Sequence, residues 1–367
     1  MIRPRLEHLA WSKSQQGRWR QELSNSAIAA PDLESLGLPH RAGAPAAASV
    51  LPELERALGA RWGAPGGRVL VTAGASEANA CVLAGLLEPG AEVLVESPGY
   101  EPHRAVPSYF GLRVRTFARR RDRGYGRVCE AVEAALGPAT RLVLLTDPHN
   151  PSGVALEDAD AAALTALAER HGLRLLCDET FRDASERPQG TRSALSDRWV
   201  ATSTLTKSYG LGSLRIGWVS GSAAVLGRCA EAQNALSVEP AVPSLALALA
   251  LAPHLDALRE RALAILATNR ARWRALVAAG LPCDASVPSQ ATTTFVHFPG
   301  SAAGDAFAAF ACERFELLLA PGRFFGEPRG VRVALGGEPA RCAAALDTFQ
   351  NAVCAFLIGR AGATESA

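Results

Sequence analysis

The chain has 367 residues, 48% of them hydrophobic and 20% charged, with a formal net charge of +2. That balance fits a soluble globular protein of two domains, or one large α/β domain with an elaborated second part. It gives no reason to invoke nucleic acid or an anionic membrane as a partner. Residues Met1 to His8 lack the unbroken apolar core of a signal peptide.

Between about residues 68 and 220, short aliphatic or β-branched runs alternate with longer helix-like stretches, the pattern of a mostly parallel sheet covered by helices. Strands are predicted over 68–72, 92–96, 112–117, 142–146, 173–177, 200–204 and 216–220, seven in all. Several end in polar or glycine-bearing turns, namely Ala73-Gly74-Ala75-Ser76, Ser97-Pro98-Gly99-Tyr100 and Asp147-Pro148-His149-Asn150-Pro151. In open α/β sheets, ligands gather in such loops beyond the carboxyl ends of the strands. The run Arg119-Arg120-Arg121 reads as a solvated loop. Beyond residue 221 the chain turns to Ala/Leu/Arg helices. Its longest apolar run, Leu245 to Ala252, is far too short for a bilayer and reads as a buried helix. The tail carries strand candidates at 293–298, 316–319 and 331–335 and reads as a smaller α+β part, with frayed residues from Ala361 to Ala367. Eight scattered cysteines form no close pair. They read as reduced, mostly buried thiols of a cytoplasmic protein, with no metal site and no disulfide framework.

Among 38 Lys and Arg residues only Lys13 and Lys207 are lysines. Arginine supplies charge as well as lysine does, but its guanidinium stays protonated and cannot act as an amine nucleophile, so a lysine kept in such a chain points to nitrogen chemistry. Arg215 lies eight residues beyond Lys207, where it suits pairing with a phosphate or a plain surface charge. Ala75 and Ser76 precede a helical run from Glu77; they suit an anion at a helix N-terminus, and Ser76 suits a plain N-cap equally well. Asp178 ends an apolar strand, a costly place for a carboxylate without a cation or strong donor, such as the protonated nitrogen of a pyridine ring. Asn150 suits donation to a ring oxygen or a simple turn; Tyr100 suits stacking on a planar ring or packing. The stretch from Gly210 to Arg215 lacks the third glycine of a dinucleotide fingerprint.

Taken in order, Thr72-Ala73-Gly74-Ala75-Ser76-Glu77-Ala78, Glu96-Ser97-Pro98-Gly99-Tyr100, Asp147 to Gly153, Asp178-Glu179, Thr202 to Lys207 with Arg215, and the tail segments Pro321 to Gly326 and Val331 to Leu335 resemble the class I/II aminotransferase family. The resemblance implies fold type I: a large pyridoxal-phosphate-binding α/β domain over 40–250 with a mostly parallel seven-stranded sheet, and a smaller α+β domain from 1–39 and 251–367. It implies pyridoxal 5′-phosphate held by Ala75, Ser76, Tyr100, Asn150, Asp178, Thr204, Lys207 and Arg215, with Lys207 as an internal aldimine and Asp178 on the ring nitrogen. Arg332 is implied to hold the substrate α-carboxylate. The expected activity is transamination of an α-amino acid, with a keto acid as partner, in a homodimer with shared sites. The alternative is a lyase, cyclase or oxidase of specialised metabolism on the same scaffold. Two positions depart from the family pattern: Phe181 stands where a tyrosine usually donates to the ring oxygen, and the segment from Pro39 to Val50 holds His40 and Arg41 but no tyrosine. Leu23 to Ala27 resembles the strip beside the substrate.

Overall fold

The computed structural model describes residues 7–15, 18–19, 21–29, 47–186, 190–285, 290–300 and 303–364. The N-terminal part gives helix α1 (Glu7–Gln15) and the short strand β1 (Gln21–Glu22), followed by α2 (Ala47–Trp62). The main sheet then forms from β2 (Leu70–Thr72), β3 (Glu92–Ser97), β4 (Arg113–Ala118), β5 (Thr140–Thr146), β6 (Arg174–Asp178), β7 (Trp199–Thr204) and β8 (Gly217–Ser220). Each lies within two residues of its predicted bounds. The strand order is β2-β8-β7-β6-β5-β3-β4. All neighbours run parallel except β8, which is antiparallel to both β2 and β7.

The central strands are buried on both faces, which explains their unbroken apolar runs. Leu142, Val143, Leu144 and Leu145 all have no exposed surface; each such side chain contributes about 1.5–3 kcal/mol through burial. Helices α3 (Ala75–Leu86) and α7 (Ala223–Leu236) cover one face of the sheet, with the intervening short helix α4 (Glu101–Ala105) at its rim; α5 (Cys129–Ala135) and α6 (Asp158–His171) cover the other. Helix α8 (Val242–Leu251) contains the longest apolar run, but only Leu245, Ala248 and Leu251 are buried, so it is not the fully buried helix its composition predicts.

A second core forms where α9 (Leu255–Ala278), α10 (Ala303–Phe315) and α11 (Pro339–Thr364) pack with a small antiparallel sheet. That sheet has the order β12-β13-β10-β9, from β9 (Asp284–Ala285), β10 (Thr293–His297), β12 (Ala320–Pro321) and β13 (Gly330–Ala334). Strand β11 (Leu317–Leu318) pairs instead with β1. Helix α11 continues through Thr364, past the point where fraying is predicted.

Two further expectations are corrected. The arginine run is not a solvated loop throughout: Arg119 is fully buried, donating to Glu96 at 2.7 Å and to the carbonyls of Tyr125 and Thr146, while Arg120 and Arg121 are exposed. The charge of Glu96 at the end of β3 demands that partner. Among the cysteines, Cys81, Cys177, Cys229 and Cys342 are buried, whereas Cys129, Cys283 and Cys312 are partly exposed and Cys354 is exposed.

Candidate active site

Strand direction assembles the candidate residues. The carboxyl ends of β2, β3, β5, β6 and β7 and the amino end of antiparallel β8 share one sheet edge. Register sharpens this: Gly217 lies opposite both Thr72 and Thr204, and Asp178 lies opposite both Thr146 and Thr202.

At the β2–β8 side, Gly74 is the N-cap of α3 at φ +89°, a conformation that favours glycine. The helix therefore starts at Ala75, two residues before the predicted Glu77, and Ser76 sits in its first turn rather than capping it. The first N–H groups of a helix have no intrahelical acceptor and face outward with the positive end of the dipole. Arg215, itself at φ +53°, lays its guanidinium on this turn: a Cβ on Gly74 would stand 2.4 Å from Arg215 Nη2. A Cβ on Gly217 would likewise stand 2.4 Å from the Gly74 carbonyl carbon, so two glycines keep the cradle open. The Thr204 hydroxyl at the end of β7 donates to the Ile216 carbonyl at 2.7 Å and accepts from the Thr206 hydroxyl at 2.9 Å.

Asp178 is buried at the end of β6. Its Oδ2 accepts from Asn79 Nδ2 at 3.0 Å and from His103 Nε2 at 3.1 Å; its Oδ1 accepts from the Thr180 N–H at 3.1 Å and from the Thr180 hydroxyl. Burial opposes the charge, but these donors prevail and hold the carboxyl below its ordinary value. The loop beyond it is anchored from beneath. Asp147 Oδ2 accepts from Arg182 at 3.0 Å and from Arg192 at 2.9 Å, which ties the Asp147–Gly153 turn to the loop beyond Asp178.

Lys207, in the turn after β7, carries no ion pair among the described residues. Burial, with Arg332 and Arg215 nearby, lowers its ammonium to about 8, against the pull of Asp178 in the other direction. Arg332, in β13, is almost fully buried; it donates from Nη1 to Asn150 Oδ1 at 3.1 Å and from Nη2 to the Ser24 carbonyl at 2.8 Å, and lies 5.0 Å above the Phe325 ring. Burial lowers it to about 10, so it stays charged at neutral pH. The strip from Leu23 runs past this arginine, with the Ile28 N–H donating to the Lys207 carbonyl at 2.9 Å. The expected residues thus meet at one edge; His40 and Arg41 lie outside the described residues.

Tyr100 caps α4, its hydroxyl pushed up to about 12 by burial, and its ring meets His103 edge-on at 5.3 Å. His8, from α1, packs against Tyr100, Phe324 and Phe325, and Glu101 accepts from the Glu7 and His8 N–H groups to hold that helix in place. Burial together with Arg332 and Lys207 lowers His8 to about 3, so its imidazole is neutral. Phe181 is buried and offers no hydroxyl. Sequence reasoning missed His8, Asn79 and His103. Only His103 had a usable signal, since it falls three residues after Tyr100 at helical spacing.

A fold of this topology with a lysine, an aspartate and two arginines at the carboxyl edge defines a recognisable class, and residues 40–349 match the family described as aminotransferase class I and II. The chain belongs to that family. It is 36% identical to an arginine–pyruvate transaminase of Pseudomonas aeruginosa over 171 residues, which are 46% of this chain and 43% of the relative, so it spans about half that relative's length. It is 31% identical to a capreomycidine synthase of Streptomyces vinaceus over 276 residues, 73% of this chain and 70% of that one. A pyridoxal-phosphate-dependent aminotransferase from Streptococcus suis superposes with a TM-score of 0.86 over 97% of this chain and 99% of that one, at 22% identity, a likeness of fold.

Proposed function

We propose that this chain is a pyridoxal-phosphate-dependent aminotransferase acting on an α-amino acid. The observation that carries the reading is a lysine of lowered proton affinity facing a buried, anionic Asp178, with Arg332 and Arg215 beside it. The donor set fits the cofactor. The open turn at Gly74, the N–H groups of Ala75 and Ser76, and Arg215 suit a phosphate, whereas Thr204, expected among them, gives its one hydroxyl proton to the Ile216 carbonyl and offers the phosphate no donor; Asp178 suits a protonated ring nitrogen; Asn150 suits the ring oxygen and Tyr100 the ring face.

Bound pyridoxal phosphate supplies an aldehyde for the substrate amine and a ring that takes up the electron pair released at Cα. Arg332 would bind the substrate α-carboxylate and so orient the bonds at Cα. Lys207 would hold the cofactor through its amine and, once freed as the neutral amine, would take up the proton released at the substrate Cα and hand it back. Asp178 stays anionic and holds the ring nitrogen proton. His8 packs on Phe324 and on Phe325, the ring beneath Arg332, and would help keep that arginine's surroundings apolar.

The division into units 40–250 and 1–39 with 251–367 is part of this proposal, supported by the separate cores and by Leu23 and Ile28 packing with α9 to α11. So is a homodimer, supported by the apolar but incompletely buried α8 and by exposed Leu236 and Val238. No helix among the described residues is long and apolar enough to cross a membrane; the cysteine thiols suit a reducing, cytoplasmic setting.

Single-turnover mixing of holoenzyme with an amino-acid panel tests the reading. Formation of pyridoxamine phosphate and a keto acid supports it; ammonia or a cyclised product with pyridoxal phosphate retained contradicts it. Phe181, where the family pattern has a tyrosine, favours as a second reading a lyase or cyclase outcome. On that reading Phe181→Tyr should shift product toward keto acid.

A further inference from the structure

Asp178 is fully supplied with donors, and the proposed function uses none of the three residues that supply them. A carboxylate offers about four lone-pair positions. Asn79 and His103 engage Oδ2, and the Thr180 N–H and hydroxyl engage Oδ1, so the protein itself fills all of them. Asn79 is buried and its orientation is set. The Thr202 hydroxyl donates to Asn79 Oδ1 at 2.7 Å, which turns the amide nitrogen toward Asp178; the flipped amide would press one oxygen against another. Asn79 stands on α3, whose N-terminus forms the anion cradle, and Thr202 is the β7 register partner of Asp178. The amide is therefore clamped between helix and sheet.

We infer that Asn79 is a positioning residue that, acting through Asp178, loosens that carboxylate's grip on the proton of a bound cofactor's ring nitrogen. The inference rests on the pyridoxal-phosphate reading above. Each donor withdraws electron density from the carboxylate and stabilises the anion. A carboxylate already serving four donors is a weaker acceptor for a fifth, so a ring N–H must share an oxygen or displace the amide. With an apolar side chain at position 79, His103 alone would remain on Oδ2 and leave a free position for the ring. Asn79 thereby tunes how strongly the ring draws electrons from Cα.

The test reconstitutes Asn79→Leu and wild-type protein with pyridoxal phosphate labelled with ¹⁵N in the ring, and follows the ¹⁵N chemical shift against pH. The midpoint for loss of the ring proton should rise in Asn79→Leu by about one pH unit or more, the scale of one hydrogen bond to a charged group. Thr202→Val keeps the amide but removes the hydroxyl that aims it, so its midpoint should rise by less; it serves as the second variant if Asn79→Leu folds poorly. A midpoint unmoved or lowered in variants that melt like wild type overturns the inference, because a merely structural role would leave the ring nitrogen unaffected. Failure of the wild type to take up the labelled cofactor overturns the cofactor reading and this inference together, whereas uptake with an unmoved midpoint overturns the inference alone.

Discussion

Lys207 is set apart by having no ion pair among the described residues. Two arginines and burial outweigh Asp178 and bring its ammonium to about 8, so about a tenth of it is neutral at pH 7, against roughly one in a few thousand for an ordinary lysine. On the proposed function the neutral amine is the nucleophile. Covalent capture of pyridoxal phosphate by the apoprotein should therefore speed up as pH rises, with a midpoint near 8, in stopped-flow absorbance; a rate still climbing steeply beyond pH 10 would mean that the lysine is not perturbed. Arg332 makes a separate prediction. Its guanidinium is aimed by Asn150 and the Ser24 carbonyl, a geometry that lysine cannot reproduce. Arg332→Lys should lower kcat/KM for α-amino acids on the order of a hundredfold while changing little for amines without the carboxylate. Equal losses for both would point to misfolding.

At the scale of elements, the β2–β8 pair and the start of α3 form one unit whose shape depends on two glycines. A methyl group on Gly217 would overlap the Gly74 carbonyl carbon at 2.4 Å and the Ala75 nitrogen at 2.6 Å, and backbone cannot swing aside as a side chain can. Gly217→Ala should therefore cost about 1–3 kcal/mol in urea unfolding and weaken pyridoxal phosphate retention at least about tenfold; unchanged retention would separate this turn from the phosphate. Most of these elements were legible in the sequence. Strands such as β5 announce themselves because burial on both faces forces a continuous apolar run. The start of α3 was misread because Ser76 looks like a cap, whereas the positive φ of Gly74 does that work. The arginine run was misread because a buried Arg119 needs a buried Glu96, and that pairing spans 23 residues. The expectations for Asn150 and Asp178 came from the ends of predicted strands. His8 and Asn79 carry no such signal, since His8 comes near through α1 packing on Tyr100, Phe324 and Phe325, and Asn79 through α3 against the sheet.

In the whole molecule, the large sheet presents the cradle, Asp178 and Lys207 from one edge, while the smaller core contributes Arg332 through β13 and Phe325 beneath it. On the proposed function neither part holds a complete site. The N-terminal helix ties the two together, because Glu101 on the large sheet's side caps α1 while His8 packs on Phe324 and Phe325. All of these arrangements converge on a single nitrogen. The most direct test is borohydride reduction of the pyridoxal-phosphate-loaded protein followed by peptide mapping. The pyridoxyl group should sit on Lys207 alone, and Lys207→Arg, which keeps the charge but cannot form the imine, should carry no label and show no turnover. A label on Lys13, or an unlabelled wild-type protein, would contradict the account.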